Sequence, residues 1–223
     1  EILKSAELTL GLTYAPWDAS ITIEDHFQTD DDLNKVWSSA PLPISGAADP
    51  GYDNFWASSV FTDWDGSVKY DSYLYDGIMD GSDEHKDLYW GPDAVGEAEK
   101  GTVPSWYVDL GTGCQGITLT YWNKFGGKGG QKLRTMNIYG SNAPEDYRGG
   151  NESWTLITTF TSDRTKPTED AGAEVTTGRI EFDKGNATYR YVKCEITSRV
   201  NADGNVVEDS DVNVAEVQIT VWS

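Results

Sequence analysis

The stretch PSWYVDLGTGCQGITLTYW, residues 104–122, alternates apolar and polar side chains with a period of two on both sides of a glycine-rich turn. This period is typical of strands that bury one face, and two such strands around a short turn form an antiparallel pair. The alternation places Trp106, Val108, Leu110, Ile117, Leu119 and Tyr121 on buried faces, and Tyr107, Asp109, Thr118, Thr120 and Trp122 on the opposite faces. A large aromatic at position 122 either packs into the fold or forms part of a ligand platform.

Eight segments after residue 50 have the composition of strands and are separated by irregular polar loops. They read FWASSVF, SWYVDLG, GITLTYW, LRTMNIYGS, SWTLITTF, GRIEFD, YRYVKCEIT and VNVAEVQITVW. Eight short strands without an internal repeat predict an all-β fold, an antiparallel β-sandwich or jelly roll. Within this pattern Trp154 and Leu156 share one face and are expected in the core, and Gly140 is expected to permit a sharp exit from its strand.

Residues 1–50 differ in composition from the rest of the chain. Two short alternating segments, ELTLGLTY and SITIEDHF, precede an acidic stretch and then SSAPLPISGAADPGYDN, which is rich in Pro, Gly, Ala and Ser. Two strands alone are marginal in water. We therefore predict an N-terminal extension, or the remnant of a preceding β domain, over residues 1–50 and a β-sandwich domain over residues 51–223.

The chain carries 17 basic and 37 acidic residues among 223, a formal net charge of −20. So negative a surface repels phosphate backbones and anionic membranes, whereas neutral glycans and divalent cations remain compatible with it. The simpler interpretation is that the acidity keeps the protein soluble. No apolar run approaches the roughly 20 residues of a membrane span. Glu1 has the character of the start of a mature or trimmed chain. Separately, we expect an extracellular, cell-surface or periplasmic protein, with a lipid anchor upstream as an option.

Two cysteines, Cys114 and Cys194, leave the redox state open. They have the number for one disulfide, but spacing alone does not establish a bridge. Cys194 lies between Val192 and Ile196 on one face of a strand pattern, which is also the position of a buried free thiol.

The order of the motifs carries a resemblance to a known family. The series is ASS at 57–59, LYDG at 74–77, Trp90, PSWYVDLG at 104–111, ITLTYW at 117–122, MNIYGSNAP at 136–144, ESWTLI at 152–157, RYVKCEI at 190–196 and VAEVQI at 214–219. It resembles the discoidin family, also called the coagulation factor V/VIII type C domain, which overlaps family 32 carbohydrate-binding modules. The resemblance implies a galactose-binding-domain-like sandwich, and the chain looks most similar to the discoidin-like domains of surface glycan-binding lipoproteins of gut Bacteroidetes.

The acidic segment LYDGIMDGSDEHKD offers oxygen ligands within a glycine-broken loop, which suits calcium. Many members of the resembled family hold a structural calcium ion in an Asp-Gly loop that is closed by the Glu of an Ala-Glu motif. The resemblance therefore implies a calcium site formed by Asp76, Asp80, Ser82 and Glu216. Ile78 and Met79 depart from the family pattern, and a solvated acidic loop is the alternative.

Catalytic motifs are absent from the sequence. The chain has only two histidines, His26 and His85, and neither lies in a metalloprotease or nucleophile-elbow pattern. Among 37 acidic residues the proximity of some carboxylate pair, such as Glu181 with Asp183, carries little information. We expect no enzymatic activity.

Three loops combine aromatic rings with directional polar groups, the chemistry that binds sugars. The expected ligand-binding residues are Trp64 and Asp65 in the first loop, His85 in the second, and Asn123, Lys124 and Phe125 in the third. In the family series Trp90 and Trp122 occupy packing positions, which favours Phe125 as the aromatic contact. The leading hypothesis is a non-catalytic carbohydrate-binding module. The alternatives are a structural or adhesion module that contacts protein partners, and an accessory domain of a larger glycoside-degrading enzyme.

Overall fold

A computed structural model of the chain describes residues 38–44, 54–57, 61–62, 68–69, 74–79, 88–90, 104–123, 132–143, 153–163, 174–200, 204–207 and 212–223. All of them belong to one unit, Ser38–Ser223. Its strands in chain order are β1 (Ser39–Pro41), β2 (Phe55–Ala57), β3 (Phe61–Thr62), β4 (Val68–Lys69), β5 (Leu88–Trp90), β6 (Ser105–Cys114), β7 (Gly116–Asn123), β8 (Lys132–Ser141), β9 (Thr155–Thr161), β10 (Glu174–Glu181), β11 (Tyr189–Val200), β12 (Val206–Val207) and β13 (Val212–Trp222).

Two antiparallel sheets account for most of these strands. The first has the order β1-β13-β7-β10, with β5 also paired to β13, and the second has the order β2-β6-β11-β8-β9, with β12 paired to β11. We call them the first and the second sheet. The strands β3 and β4 pair only with each other within the described ranges. The part of the chain that the structure describes contains no helix long and apolar enough to cross a membrane.

The inner faces of the two sheets meet in one hydrophobic core. In the second sheet the register aligns Trp106, Cys194 and Ile138 across three strands, and all three are 0% exposed. The first sheet contributes Ile117 and Tyr121 of β7, also fully buried. Because alternate side chains of a strand face opposite sides, burying these residues determines which residues face outward. The predicted antiparallel β-sandwich is confirmed.

The expectation that Leu156 lies in the core is wrong. Leu156 is 52% exposed, and Trp154 just before β9 is only half-buried. A register shift between β8 and β9 sets Leu156 opposite Tyr139 on the outer face of the second sheet, while Ile157 packs against the core. Because of this register shift, Leu156 faces solvent and Ile157 faces the core.

Part of the predicted N-terminal segment belongs to the first sheet. Residues Ser39–Pro41 pair antiparallel with the C-terminal end of β13, and the backbone of Ser38 exchanges hydrogen bonds with Ser223. The segments ELTLGLTY and SITIEDHF lie outside the described residues. The division of the chain at residue 50 therefore stays a prediction.

Gly140 is needed for close packing rather than for a turn. A Cβ atom at this position would lie 2.5 Å from the ring of Tyr189 and 3.0 Å from Ile157. We predict that Gly140→Ala lowers the free energy of unfolding by about 1–3 kcal/mol, the usual effect of overpacking. Thermal unfolding measures this, with Gly113→Ala as the control, since its Cβ would meet only the side chain of Thr188 at 3.3 Å. Equal melting temperatures for the two variants would contradict the packing argument.

Both cysteines are free and buried. Burial raises the pKa of Cys114 to about 11 and that of Cys194 to about 12. Since the thiolate is the reactive form, we predict that neither thiol reacts with a thiol reagent at pH 8 in the native protein. Both should react once the protein is unfolded in denaturant. Titration with a chromogenic disulfide reagent counts them, and a native count above zero would show that a core strand opens readily.

Candidate functional site

The end of β7 is the part of the predicted ligand site that the structure describes. Trp122 is 8% exposed, and the register sets it between Glu174 of β10 and Glu216 of β13. It lies on the face opposite to Ile117 and Tyr121, which belong to the core. Trp122 is therefore a packing residue, as its position in the family series predicted, and not an exposed platform.

Asn123, the last residue of β7, is fully buried at 0% exposure. Neither Oδ1 nor Nδ2 of its amide has a hydrogen-bond partner among the residues that the structure describes. A buried polar group without a partner costs about 1–3 kcal/mol, so native proteins nearly always supply one from the chain, from water or from a ligand. The amide of Asn123 thus marks a point where a polar partner is required.

The other predicted ligand residues lie outside the described residues. Trp64 and Asp65 fall in the connection between β3 and β4, His85 precedes β5, and Lys124 and Phe125 directly follow β7. Lys124 and Phe125 belong to the connection between Asn123, the last residue of β7, and Lys132, the first residue of β8. These residues remain predicted ligand contacts.

A carboxylate of β13 meets the Asp-Gly loop of the predicted calcium site. Oε2 of Glu216 accepts a hydrogen bond of 3.1 Å from the backbone N–H of Gly77, and Oδ1 of Asp76 accepts one of 2.9 Å from Ile78. Glu216 is 3% exposed. Burial, together with the smaller effect of the charge of Asp76, raises the pKa of Glu216 to about 7, against the hydrogen bonds from the backbone of Gly77 and Asp76, which lower it. Two carboxylates that are 140 residues apart in sequence therefore interact.

This arrangement suits a divalent cation, which would offset both the desolvation of Glu216 and the repulsion by Asp76. A cavity of about 370 Å³ lies at the same strand, β13, and its lining includes Leu42, Ile44, Tyr75, Glu216 and Ile219. Asp80 and Ser82, the other predicted ligands, lie outside the described residues. Within those residues no group of three or more His, Cys, Asp or Glu side chains converges.

A row of five residues, three of them aromatic, lies on the outer face of the second sheet and was not predicted from the sequence. The register aligns Trp56, Tyr107, Lys193, Tyr139 and Leu156 in one row across five strands. We call these five residues the outer row. A signal was present in the sequence, because Tyr107 and Lys193 occupy the polar face of strongly alternating strands. The alignment across strands could not be read from it.

Comparisons with known proteins identify similar folds only among solved structures. No family model matches the chain. No curated protein matches it. Similar structures include a fucolectin from striped bass (Morone saxatilis) serum, with TM-score 0.46 and 13% identity, covering 76% of this chain. The chain spans only 46% of that fucolectin.

Two further similar structures are family 32 carbohydrate-binding modules from Clostridium perfringens. One, from NanJ, is a complex with galactose and has TM-score 0.46 and 14% identity, with 82% of this chain and 99% of that one covered. The other, from a family 31 glycoside hydrolase, has TM-score 0.48 and 12% identity, covering 74% and 88%. Likenesses of this size carry no inference about function.

Proposed function

We propose that this chain is a non-catalytic carbohydrate-binding module of a secreted or cell-surface protein, which binds glycan at the end of the sandwich where β7 ends. The observation that carries the proposal is the buried amide of Asn123 beside the predicted ligand loop, whose two polar atoms have no partner in the described part of the chain. Sugar hydroxyls both donate and accept hydrogen bonds, so one hydroxyl or a water beneath it can satisfy Oδ1 and Nδ2 together.

Asn123 orients the sugar, and the residues that follow it supply the contact. Because Asn123 is fully buried, it meets the glycan through a hydroxyl that enters the site or through a bridging water. Lys124 and Phe125 come next in the chain and provide a charged donor and a stacking ring. Trp64, Asp65 and His85 complete the proposed ligand set. The net charge of −20 favours a neutral glycan over an anionic one.

The replacement Asn123→Leu should have opposite effects on stability and on binding. Leucine has a similar volume and no polar atoms, so we expect the free energy of unfolding to rise by about 1 kcal/mol or more. Affinity for the glycan should fall by about tenfold, because the hydrogen bonds to the amide are lost. Thermal unfolding without sugar and calorimetric titration with galactose and with GalNAc-β-1,3-galactose measure the two effects.

Asn142, which directly follows β8, provides a control of the same residue type. Its Nδ2 donates to the carbonyl of Thr188 at 2.7 Å, and its Oδ1 accepts from the N–H of Arg190 at 3.0 Å. Asn142→Leu should therefore lower stability and leave sugar affinity unchanged. A wild-type protein that binds none of a broad glycan array would overturn the proposed function. Unchanged affinity in Asn123→Leu would remove Asn123 from the site.

We also propose that Glu216 and Asp76, together with Asp80 and Ser82, hold a structural calcium ion. Its role is to tie the Asp-Gly loop to β13 by supplying positive charge beside a carboxylate that is costly to ionise. Calcium requires six to eight oxygen ligands, so backbone carbonyls and water complete the set.

Calcium should stabilise the native protein, because it binds only the folded state. At a calcium concentration a hundredfold above Kd we expect a gain of about 2.7 kcal/mol, which corresponds to roughly 5–10 °C in Tm. Glu216→Gln should abolish this response. In chelator at pH 8 its Tm should equal or exceed the wild-type value, since an amide avoids the desolvation of a charge and still accepts from Gly77.

Glu181→Gln, on β10, is the control for the calcium experiment and should respond to calcium like the wild type. A wild-type melting temperature that stays constant between chelator and millimolar calcium would contradict the calcium proposal. That result would leave the glycan proposal intact, since the two depend on different residues.

A further inference from the structure

The outer row places three aromatic rings, Lys193 and Leu156 in one line across five strands of the second sheet. Neighbouring strands lie about 4.8 Å apart, so the five residues span roughly 19 Å from Trp56 to Leu156. Trp154 joins them from the residue before β9.

Three aromatic rings pack against one another in this line. The rings of Trp56 and Tyr107 are 4.8 Å apart and tilted by 44°, and those of Tyr107 and Trp154 are 6.0 Å apart and tilted by 54°. Tyr107 is 8% exposed, whereas both indoles are only half-buried. Tyr107 therefore lies at the base of a shallow trough, and each indole keeps part of its surface open. The core aromatic Trp106, by contrast, is 0% exposed.

Fixed polar groups border the trough along the next residues of the same strands. Oγ1 of Thr159 donates to Oδ1 of Asn137 at 2.7 Å, Nδ2 of Asn137 donates to Oη of Tyr139 at 3.3 Å, and Tyr139 donates to Oε1 of Glu195 at 3.3 Å. Burial, and then the charge of Glu195, raises the pKa of Tyr139, so its phenol keeps the proton. Polar groups held in this way lose little entropy when they bind a ligand.

Charges on this face are paired within it. Nζ of Lys193 lies 3.2 Å from Oε2 of Glu195 and 4.3 and 5.6 Å from the ring centres of Tyr139 and Trp154. Nearby, Arg190 contacts both carboxylate oxygens of Asp109 at 2.8 Å. Although the chain has a net charge of −20, these four described residues in or beside the outer row form two ion pairs without net charge. Charge complementarity thus selects a neutral ligand, and exposed ring faces with oriented hydroxyl and amide groups match the alternating apolar and polar surfaces of a sugar.

We propose that the outer face of the second sheet is a binding surface for an extended neutral glycan chain, with Trp56 and Trp154 as stacking residues over Tyr107. The length of the outer row suits several consecutive sugar units rather than one. The inference takes its ligand class from the proposed function and concerns a surface separate from the end of β7.

Native affinity gels that contain galactomannan, xyloglucan or dextran test the surface, with alginate as an anionic comparison. Trp56→Ala and Trp154→Ala should each weaken retention by at least one of the neutral polymers about tenfold, the usual effect of a buried aromatic anchor. Trp222→Ala is the matched control. Trp222 is half-buried on the first sheet, donates to Thr118 at 3.0 Å and lies 5.5 Å from Arg179, and its loss should leave retention unchanged.

Leu156→Glu tests the same surface in case the tryptophan variants do not fold. Leu156 is 52% exposed, and a residue with this exposure tolerates substitution. It should fold normally and weaken retention by the same neutral polymer. Full retention in the folded Trp56, Trp154 and Leu156 variants would overturn the surface, as would retention by alginate alone. If these variants retain the polymer and Asn123→Leu does not, the end of β7 is the binding site and the outer face is not. If the reverse holds, the outer face stands and the site at Asn123 fails.

Discussion

The contact between the inner faces of the two sheets determines everything else in this structure. The strand β11 lies in the middle of the second sheet, and its residues Val192 and Cys194 are completely buried. Because side chains alternate along a strand, burying these two forces Lys193 and Glu195 to the outer face. The same register aligns Lys193 with Tyr107 of β6 and with Tyr139 of β8, which all belong to the outer row. The surface chemistry of this sheet is therefore a direct consequence of its core.

Irregularities in the strands produce the polar features that regular pairing would not. The register of β13 shifts between Val214 and Glu216, next to the point where β7 ends. Glu216 is thereby buried beside Gly77, and Asn123 is buried with no described residue as a partner for its amide. Buried polar side chains that lack a partner are rare in proteins. Irregularities in strand pairing, in turn, occur frequently next to functional sites. The proposed calcium site and the proposed glycan site both lie in this region, on different residues.

Period-two alternation was sufficient to predict the long strands and the sandwich, and Trp106 was correctly expected in the core. It failed at Leu156, because alternation shows which residues share a face but a register shift decides which face is buried. Of the predicted ligand residues, only Asn123 lies in the described part of the chain. Its burial was not predicted, since the length of a strand beyond its last apolar residue depends on its neighbours. The short strands β1, β4, β5 and β12 were also missed, because two or three residues carry no measurable periodicity.

The sequence by itself determined the fold class, the acidic surface and the residue types available for binding, since each of these depends on composition and local pattern. Only the tertiary structure decided that Cys114 and Cys194 are separate buried thiols, that Asp76 faces Glu216, and that the residues of the outer row form one line. These are relations between residues that lie far apart in the chain. They follow from strand order and register, which are determined by the packing of the whole core and not by any one segment.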